Sequence, residues 1–233
     1  MTTPREKWLL WEDGVHDPYF NMAVDEALLE RAPEFGTTLI RIYRWDRPSL
    51  SIGSSQRYPE QYLDRYAIVR RPTGGGNVFH DVDLTYTAVI PPGAPVTELN
   101  RMESYKVFHE AMLPMFDAFG TRAALKPDET PGVDRATMQC FTSPSRFDLV
   151  APTGMKYAGA AQRRTRNGIL HQGSIKLDVC GGDWEKLHTA LIGALRDFFR
   201  IEFRPAEIPP ELTERAETLV REKYGTEAWN RGA

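Results

Sequence analysis

Arg70-Arg71-Pro72-Thr73-Gly74-Gly75-Gly76-Asn77-Val78-Phe79-His80-Asp81 sets three consecutive glycines between an apolar run and a histidine. Ala67-Ile68-Val69, just ahead of it, reads as a short strand that delivers the chain into a ligand-binding loop. Gly74 to Gly76 let backbone N–H groups approach a carboxylate, a phosphate or an acyl carbonyl with no Cβ in the way. Arg70 and Arg71 add positive charge beside them. No Gly-Lys-Ser/Thr ending follows, so this is not the phosphate loop of nucleotide hydrolases, nor is it the spaced G-x-G-x-x-G dinucleotide fingerprint. A glycine-rich hairpin turn is the competing reading of these residues taken alone.

Outward from this loop, the chain reads as mixed α/β, with no internal repeat and no low-complexity linker. Asp17 followed by Pro18 marks a helix start, and Phe20, Ala23, Val24, Ala27 and Leu28 form one apolar stripe behind it. Thr38 to Trp45 and Ser49 to Gly53 read as strands. Asn100 with Glu103 is a capping-box pattern for a helix reaching Phe119, with Gly120 at its C-terminal cap and Pro114 expected to bend it. Pro152-Thr153-Gly154 is a hairpin signal between Phe147–Val150 and Met155–Ala161, which puts Lys156 on a strand. Trp184, Leu187, His188, Leu191, Ile192, Leu195 and Phe199 follow helical spacing after the N-cap Asp183, with His188 in a structural role. A charged helix is expected around Glu211 to Lys223.

With 41% hydrophobic residues, a chain of 233 can bury the core of one large domain, whereas two would be cramped. A single domain over residues 1–233, with no C-terminal accessory domain, is the expectation. The formal net charge of −3 leaves no broad basic footprint, which disfavours nucleic acid as a partner. No apolar run approaches membrane-spanning length, and Trp8-Leu9-Leu10-Trp11 is too short for a signal-peptide core. The expected location is cytoplasmic and the expected partners include no membrane. Cys140 and Cys180 are the only cysteines, which fits a reducing compartment rather than a disulfide framework.

A second segment gives the loop its context. Cys140-Phe141-Thr142-Ser143-Pro144-Ser145-Arg146-Phe147-Asp148-Leu149-Val150 is followed by Met155-Lys156-Tyr157-Ala158-Gly159-Ala160-Ala161-Gln162-Arg163-Arg164-Thr165 and then Gly168-Ile169-Leu170-His171-Gln172-Gly173-Ser174-Ile175. Together with the glycine loop, this resembles the lipoate-protein ligase and octanoyltransferase family, in which a similar loop wraps the acyl chain and a Lys-x-x-Gly-Ser/Ala-Ala strand supplies a lysine. The resemblance extends to Pro18-Tyr19-Phe20-Asn21-Met22-Ala23-Val24-Asp25-Glu26 and to Lys223-Tyr224-Gly225-Thr226-Glu227-Ala228-Trp229-Asn230, so it covers nearly the whole chain. It implies an α+β fold, a mixed and largely antiparallel sheet flanked by helices, of the class II aminoacyl-tRNA synthetase and biotin ligase type. Biotin ligation is disfavoured, because the Gly-Arg-Gly-Arg type loop is missing.

The cysteine segment resembles that of the cysteine octanoyltransferases, which makes Cys140 the candidate nucleophile and Lys156 its catalytic partner. A thiolate that attacks a thioester forms another thioester at little net cost, after which a lysine amine forms the more stable amide. An ammonium near the thiol favours the thiolate, and it can also hydrogen-bond the acyl carbonyl as charge develops there. Arg71, Thr73, Gly74, Gly75, Gly76, Asn77, His80, Gly159, Ala160, Ala161, His171 and Gly173 are the candidate substrate-binding residues. His80 and His171 are assigned support rather than proton transfer, with His80-Asp81 also readable as a turn-stabilising pair. Arg163, Arg164 and Arg166 are candidates to meet a phosphopantetheine arm or the acidic face of a carrier protein. Cys180 reads as a buried structural residue, and no cluster has metal-ligand spacing.

The resemblance implies octanoyl acyl carrier protein as donor, and a lipoyl domain or a glycine-cleavage H-type protein as acceptor, with no cofactor required. An ATP-dependent lipoate ligase, using ATP and Mg²⁺ to form an acyl-adenylate, is the alternative. Gly76 leans that way, since cysteine octanoyltransferases often carry arginine there, whereas Pro72 and Thr73 lean towards the transferases. A lipoyl amidotransferase and a non-catalytic acyl-binding protein are further alternatives.

Overall fold

The computed structural model describes residues 5–128 and 144–232. Local capping sets the helix starts as the sequence leads one to expect. Asp17 accepts from the Tyr19 and Phe20 N–H groups, Asn100 and Glu103 close a reciprocal capping box, and Asp183 accepts from Lys186 N–H. In chain order the elements are β1 (Glu6–His16), α1 (Pro18–Glu30), α2 (Ala32–Phe35), β2 (Leu39–Trp45), β3 (Ser49–Ile52), β4 (Ala67–Arg70), β5 (Val78–His80) and β6 (Asp83–Ile90). They continue with α3 (Pro95–Glu98), α4 (Arg101–Ala118), β7 (Ala124–Leu125), β8 (Leu149–Val150), β9 (Lys156–Thr165) and β10 (Gly168–Lys176). Last come α5 (Trp184–Phe199), β11 (Ile201–Pro205), α6 (Pro210–Leu219) and α7 (Glu227–Arg231).

The large sheet has the order β11-β1-β2-β6-β10-β9-β8-β7. β1 is parallel to both β11 and β2, and every other pairing in that sheet is antiparallel, which matches the expected mixed and largely antiparallel architecture. Strand alternation sends Ile40, Ile42, Leu84, Tyr86 and Ala88 to one face, where Phe108, Met112 and Phe116 of α4 and Leu187, Leu191 and Leu195 of α5 cover them. Leu39, Tyr43 and Leu170 on the other face meet Met22, Val24 and Leu28 of α1 and Leu212 and Leu219 of α6.

A second sheet, β4-β3-β5, carries the glycine loop between β4 and β5. Val78–His80 is therefore a strand, antiparallel to β3, rather than part of the loop. The C-terminal segment fixes this sheet. Arg70 N–H donates to Asn230 Oδ1 at 2.7 Å, its guanidinium donates to the Trp229, Asn230, Gly53 and Gln56 carbonyls, and Trp229 Nε1 donates back to Arg70 O at 2.8 Å. The charged helix expected around Glu211 to Lys223, α6, stops being α-helical at Leu219. A π-helical turn over Val220–Tyr224 follows, and from it Lys223 Nζ and the Tyr224 hydroxyl both reach Glu26 of α1 at 2.7 Å.

Candidate functional site

Between the second sheet and the large one lies a cavity. Its floor is a row of directly paired residues, Tyr43 on β2, Thr85 on β6, Ser174 on β10 and Gly159 on β9. The last three side chains are small, and that is what leaves the space. Three interstrand steps make the row about 14 Å long. Met22, Trp45 and Val78 supply apolar wall, Gly75 and Gly76 the roof, and Lys156 with Asp148 one end.

Lys156 is 2% exposed and its Nζ lies 2.7 Å from Asp148 Oδ2, itself fully buried. An ammonium so deep needs its carboxylate. Asp148 is in turn held by Ser145 N–H at 2.6 Å and by the Tyr105 hydroxyl of α4, which also accepts from Ala160 N–H. The preceding residue, Phe147, sits in the left-handed region at φ 68°, disfavoured for a residue with a side chain. Its N–H donates to Lys126 O and its carbonyl accepts from His109 Nδ1, both at 2.7 Å. His109 Nδ1 therefore carries a proton, and burial lowers the ring's pKa to about 4, which keeps it neutral near pH 7. A Cβ on Gly159 would occupy the place of Lys156 Cε and Nζ, so a side chain there would displace the lysine from this pair.

Arg71 shapes the glycine loop from inside. Nη2 donates to Gly74 O at 2.6 Å and Gly76 O at 2.7 Å, while Nη1 donates to Ser51 O at 3.0 Å. Gly75 has φ 87° and crosses so close to Gly53 that a Cβ on Gly53 would collide with its carbonyl. Thr73 is buried below the loop, its hydroxyl donating to Gln172 Oε1 at 2.7 Å. Gln172 Nε2 donates to Asp25 Oδ2 at 2.6 Å, and Asp25 pairs with the buried Arg41. That chain ties the loop to α1.

The cavity thus brings together Lys156, Arg71, Gly75, Gly76, His80, Gly159, Ala160, Ala161 and Gly173 among the candidates. His80 has both ring nitrogens engaged, Nε2 with Ser51 Oγ and Nδ1 with Asp83 Oδ2, each at 2.8 Å, and it stacks on Trp45 at 4.0 Å. Its carboxylate partner is Asp83 rather than Asp81, which instead accepts from Tyr66. Thr73 and Asn77 do not line the cavity; Asn77 is buried with Oδ1 unsatisfied. Gly74 lines an adjoining groove. His171 points away from the cavity, stacking on Phe108 at 4.5 Å and bonding Tyr86 and Gln162, because strand alternation gives it the α4 face. Burial lowers its pKa well below the usual histidine range.

Cys180 is buried and donates to Leu177 O and Asp183 O, whereas Cys140 lies outside the described residues. Arg164 is spent inside the fold, donating to Ser104 Oγ at 2.7 Å, and Arg163 faces Glu26 at 3.6 Å. Sequence reasoning quoted Asp148 but gave it no role, and it did not single out Tyr105. The Asp in Phe147-Asp148-Leu149, eight residues before Lys156 across a hairpin turn, was the available signal. Tyr105 left none, since its place depends on how α4 packs on β9.

The lipoyl protein ligase A/B catalytic domain model matches residues 17–200. The octanoyltransferase LipM of Bacillus anthracis is 30% identical over 278 residues, spanning 97% of this chain and 98% of that protein. LipM of Anoxybacillus flavithermus is 38% identical over 188 residues, 75% of this chain and 67% of its own. Among solved structures, a lipoate-protein ligase A bound with ATP superposes with TM-score 0.78 at 23% identity, covering 98% of this chain and 99% of that one. A bi-partite lipoate protein ligase from Thermoplasma acidophilum, studied with its E2 lipoyl domain, gives 0.74 at 21% identity, covering 99% and 97%. The structural likeness establishes the shared fold, and the family match, together with the relatives that are 30% identical or more, establishes descent: the chain belongs to the lipoyl protein ligase A/B catalytic domain family.

Proposed function

We propose that the protein is an octanoyltransferase of protein lipoylation, moving an octanoyl group from acyl carrier protein to a lysine of a lipoyl domain through a thioester on Cys140. The observation that carries this reading is the buried Lys156–Asp148 pair at one end of a cavity floored by Thr85, Ser174 and Gly159. An acyl chain laid along that floor runs towards Tyr43 and Trp45 and brings its carbonyl to Lys156. There the ammonium offsets the negative charge that develops on the acyl oxygen. Cys140 enters on its place in the sequence, eight residues before Asp148.

In the first half-reaction the Cys140 thiolate attacks the thioester carbon and the carrier thiolate leaves. In the second the acceptor amine attacks the same carbon, an amide forms, the Cys140 thiolate departs and the amine's proton passes to solvent. Neither step consumes ATP.

A single-turnover assay tests this, with octanoyl carrier protein as donor, a lipoyl domain as acceptor and no ATP. Transfer in the wild type and its loss in Cys140→Ala, with binding of octanoate retained, is the expected result. Unchanged transfer in Cys140→Ala would remove the cysteine route, and lipoate-dependent release of AMP from ATP would assign the chain to the ligases.

A further inference from the structure

A second opening abuts the acyl cavity at Gly75, Ser145, Ala160 and Ala161, which line both, and leads away between the glycine loop and α4. Arg101 and Met102, in the first turn of α4, line its outer part, and Arg146 lines it from the segment ahead of β8. Among the described residues neither Arg101 nor Arg146 has a carboxylate partner. That sets them apart from Arg163 and Arg164, which Glu26 and Ser104 engage. Both are exposed, and Arg146 rests its guanidinium on the Phe147 ring at 4.6 Å. In a chain of net charge −3, cationic side chains here are a local feature rather than a general one.

Gly75, Ser145, Ala160 and Ala161 border both openings, so an extended ligand that passes over them reaches from one to the other. Its reacting carbon must sit by Lys156, its acyl tail fills the cavity, and whatever follows the carbonyl must leave through this groove. We propose that the groove seats the phosphopantetheine arm of the donor, with the guanidinium groups of Arg101 and Arg146 receiving its phosphate. Small side chains at Ala160 and Ala161 give the arm room. Guanidinium is the side chain suited to a phosphodiester, through charge-assisted and often paired hydrogen bonds. This inference rests on the acyl-transfer reading and adds how the donor is recognised.

Two soluble thioesters separate the parts of the claim, octanoyl-pantetheine and octanoyl-4′-phosphopantetheine, which differ only in the phosphate. With a lipoyl domain as acceptor, the wild type is expected to favour the phosphorylated donor in kcat/KM by about tenfold or more, mainly through KM. In Arg101→Gln and Arg146→Gln that ratio falls towards one, and it falls furthest in the double variant. Because each ratio is taken within a single protein preparation, loss of folded enzyme does not alter it. Equal use of both donors by the wild type, or an undiminished preference in the double variant, overturns the inference while leaving acyl transfer standing. No transfer from either thioester or from octanoyl carrier protein defeats the underlying reading instead. If octanoyl-adenylate proves to be the donor whose use depends on these arginines, the groove is a nucleotide site and the inference fails.

Discussion

At the scale of single residues, Lys156 is the most constrained group in the site. Its ammonium is buried, its counter-ion is buried, and a side chain on Gly159 would displace it. Replacing Asp148 with Asn removes the negative charge and leaves a buried cation, a change that costs about 3–5 kcal/mol in stability. Chemical denaturation of Asp148→Asn would show it as a lower midpoint. Gly159→Ala puts a methyl group where the ammonium sits and displaces the Lys156 side chain. Displacement of a reacting group on the order of 1 Å lowers the rate by roughly 10²-fold. Single-turnover transfer by Gly159→Ala should show that drop. Lys156 and Gly159 were legible in the sequence because they stand in a motif. Tyr105 and His109 were not, since they act on Asp148 and Phe147 from an element about 40 residues away.

At the scale of elements, helix starts were readable from Asp17, Asn100 and Asp183 because a cap is a local contract between a side chain and the next turn. The floor of the cavity was not. It depends on which residue of β2, β6, β10 and β9 stands opposite which, and register is a long-range property. His171 illustrates this: its motif suggested a ligand contact, and strand alternation turned it to the opposite face. The C-terminal segment shows the reverse case. Lys223 to Asn230 read only as a resemblance, and the structure gives it a task, holding Arg70 and thereby the strand that delivers the glycine loop. Asn230→Ala leaves the Arg70 N–H and the Tyr224 and Thr226 carbonyls without their side-chain partner. The expected cost is about 1–3 kcal/mol. Amide exchange at Gly74 to Gly76 should accelerate with it, and unchanged exchange there would separate the clamp from the loop.

At the scale of the whole molecule, two histidines in the core link stability to pH. His109 and His171 are neutral when folded, with pKa values pushed down by burial, His109 to about 4 from its ordinary 6.5. Between those two values the unfolded chain binds the proton and the folded one does not, so stability falls as pH falls. The contribution from His109 is complete above about pH 6.5 and is lost on descending to about pH 4, a range worth roughly 3 kcal/mol. Urea midpoints measured across that window should decline, and His109→Gln should flatten the decline. The architecture as a whole was legible because four motifs in family order span nearly the whole chain. The groove beside the cavity was less so, because no motif records that Gly75, Ser145, Ala160 and Ala161 line both.

Acyl transfer through this cavity, from one thioester to an amide, would leave an octanoyl group on Cys140 between the two steps. Its most direct test is the intact mass of the purified protein after incubation with octanoyl carrier protein in the absence of ATP, followed by peptide mapping. A hydroxylamine-sensitive octanoyl adduct on Cys140, formed by the wild type and sharply slowed in Lys156→Ala, is the predicted result. An unmodified protein that instead consumes ATP and lipoate to release AMP would contradict the account.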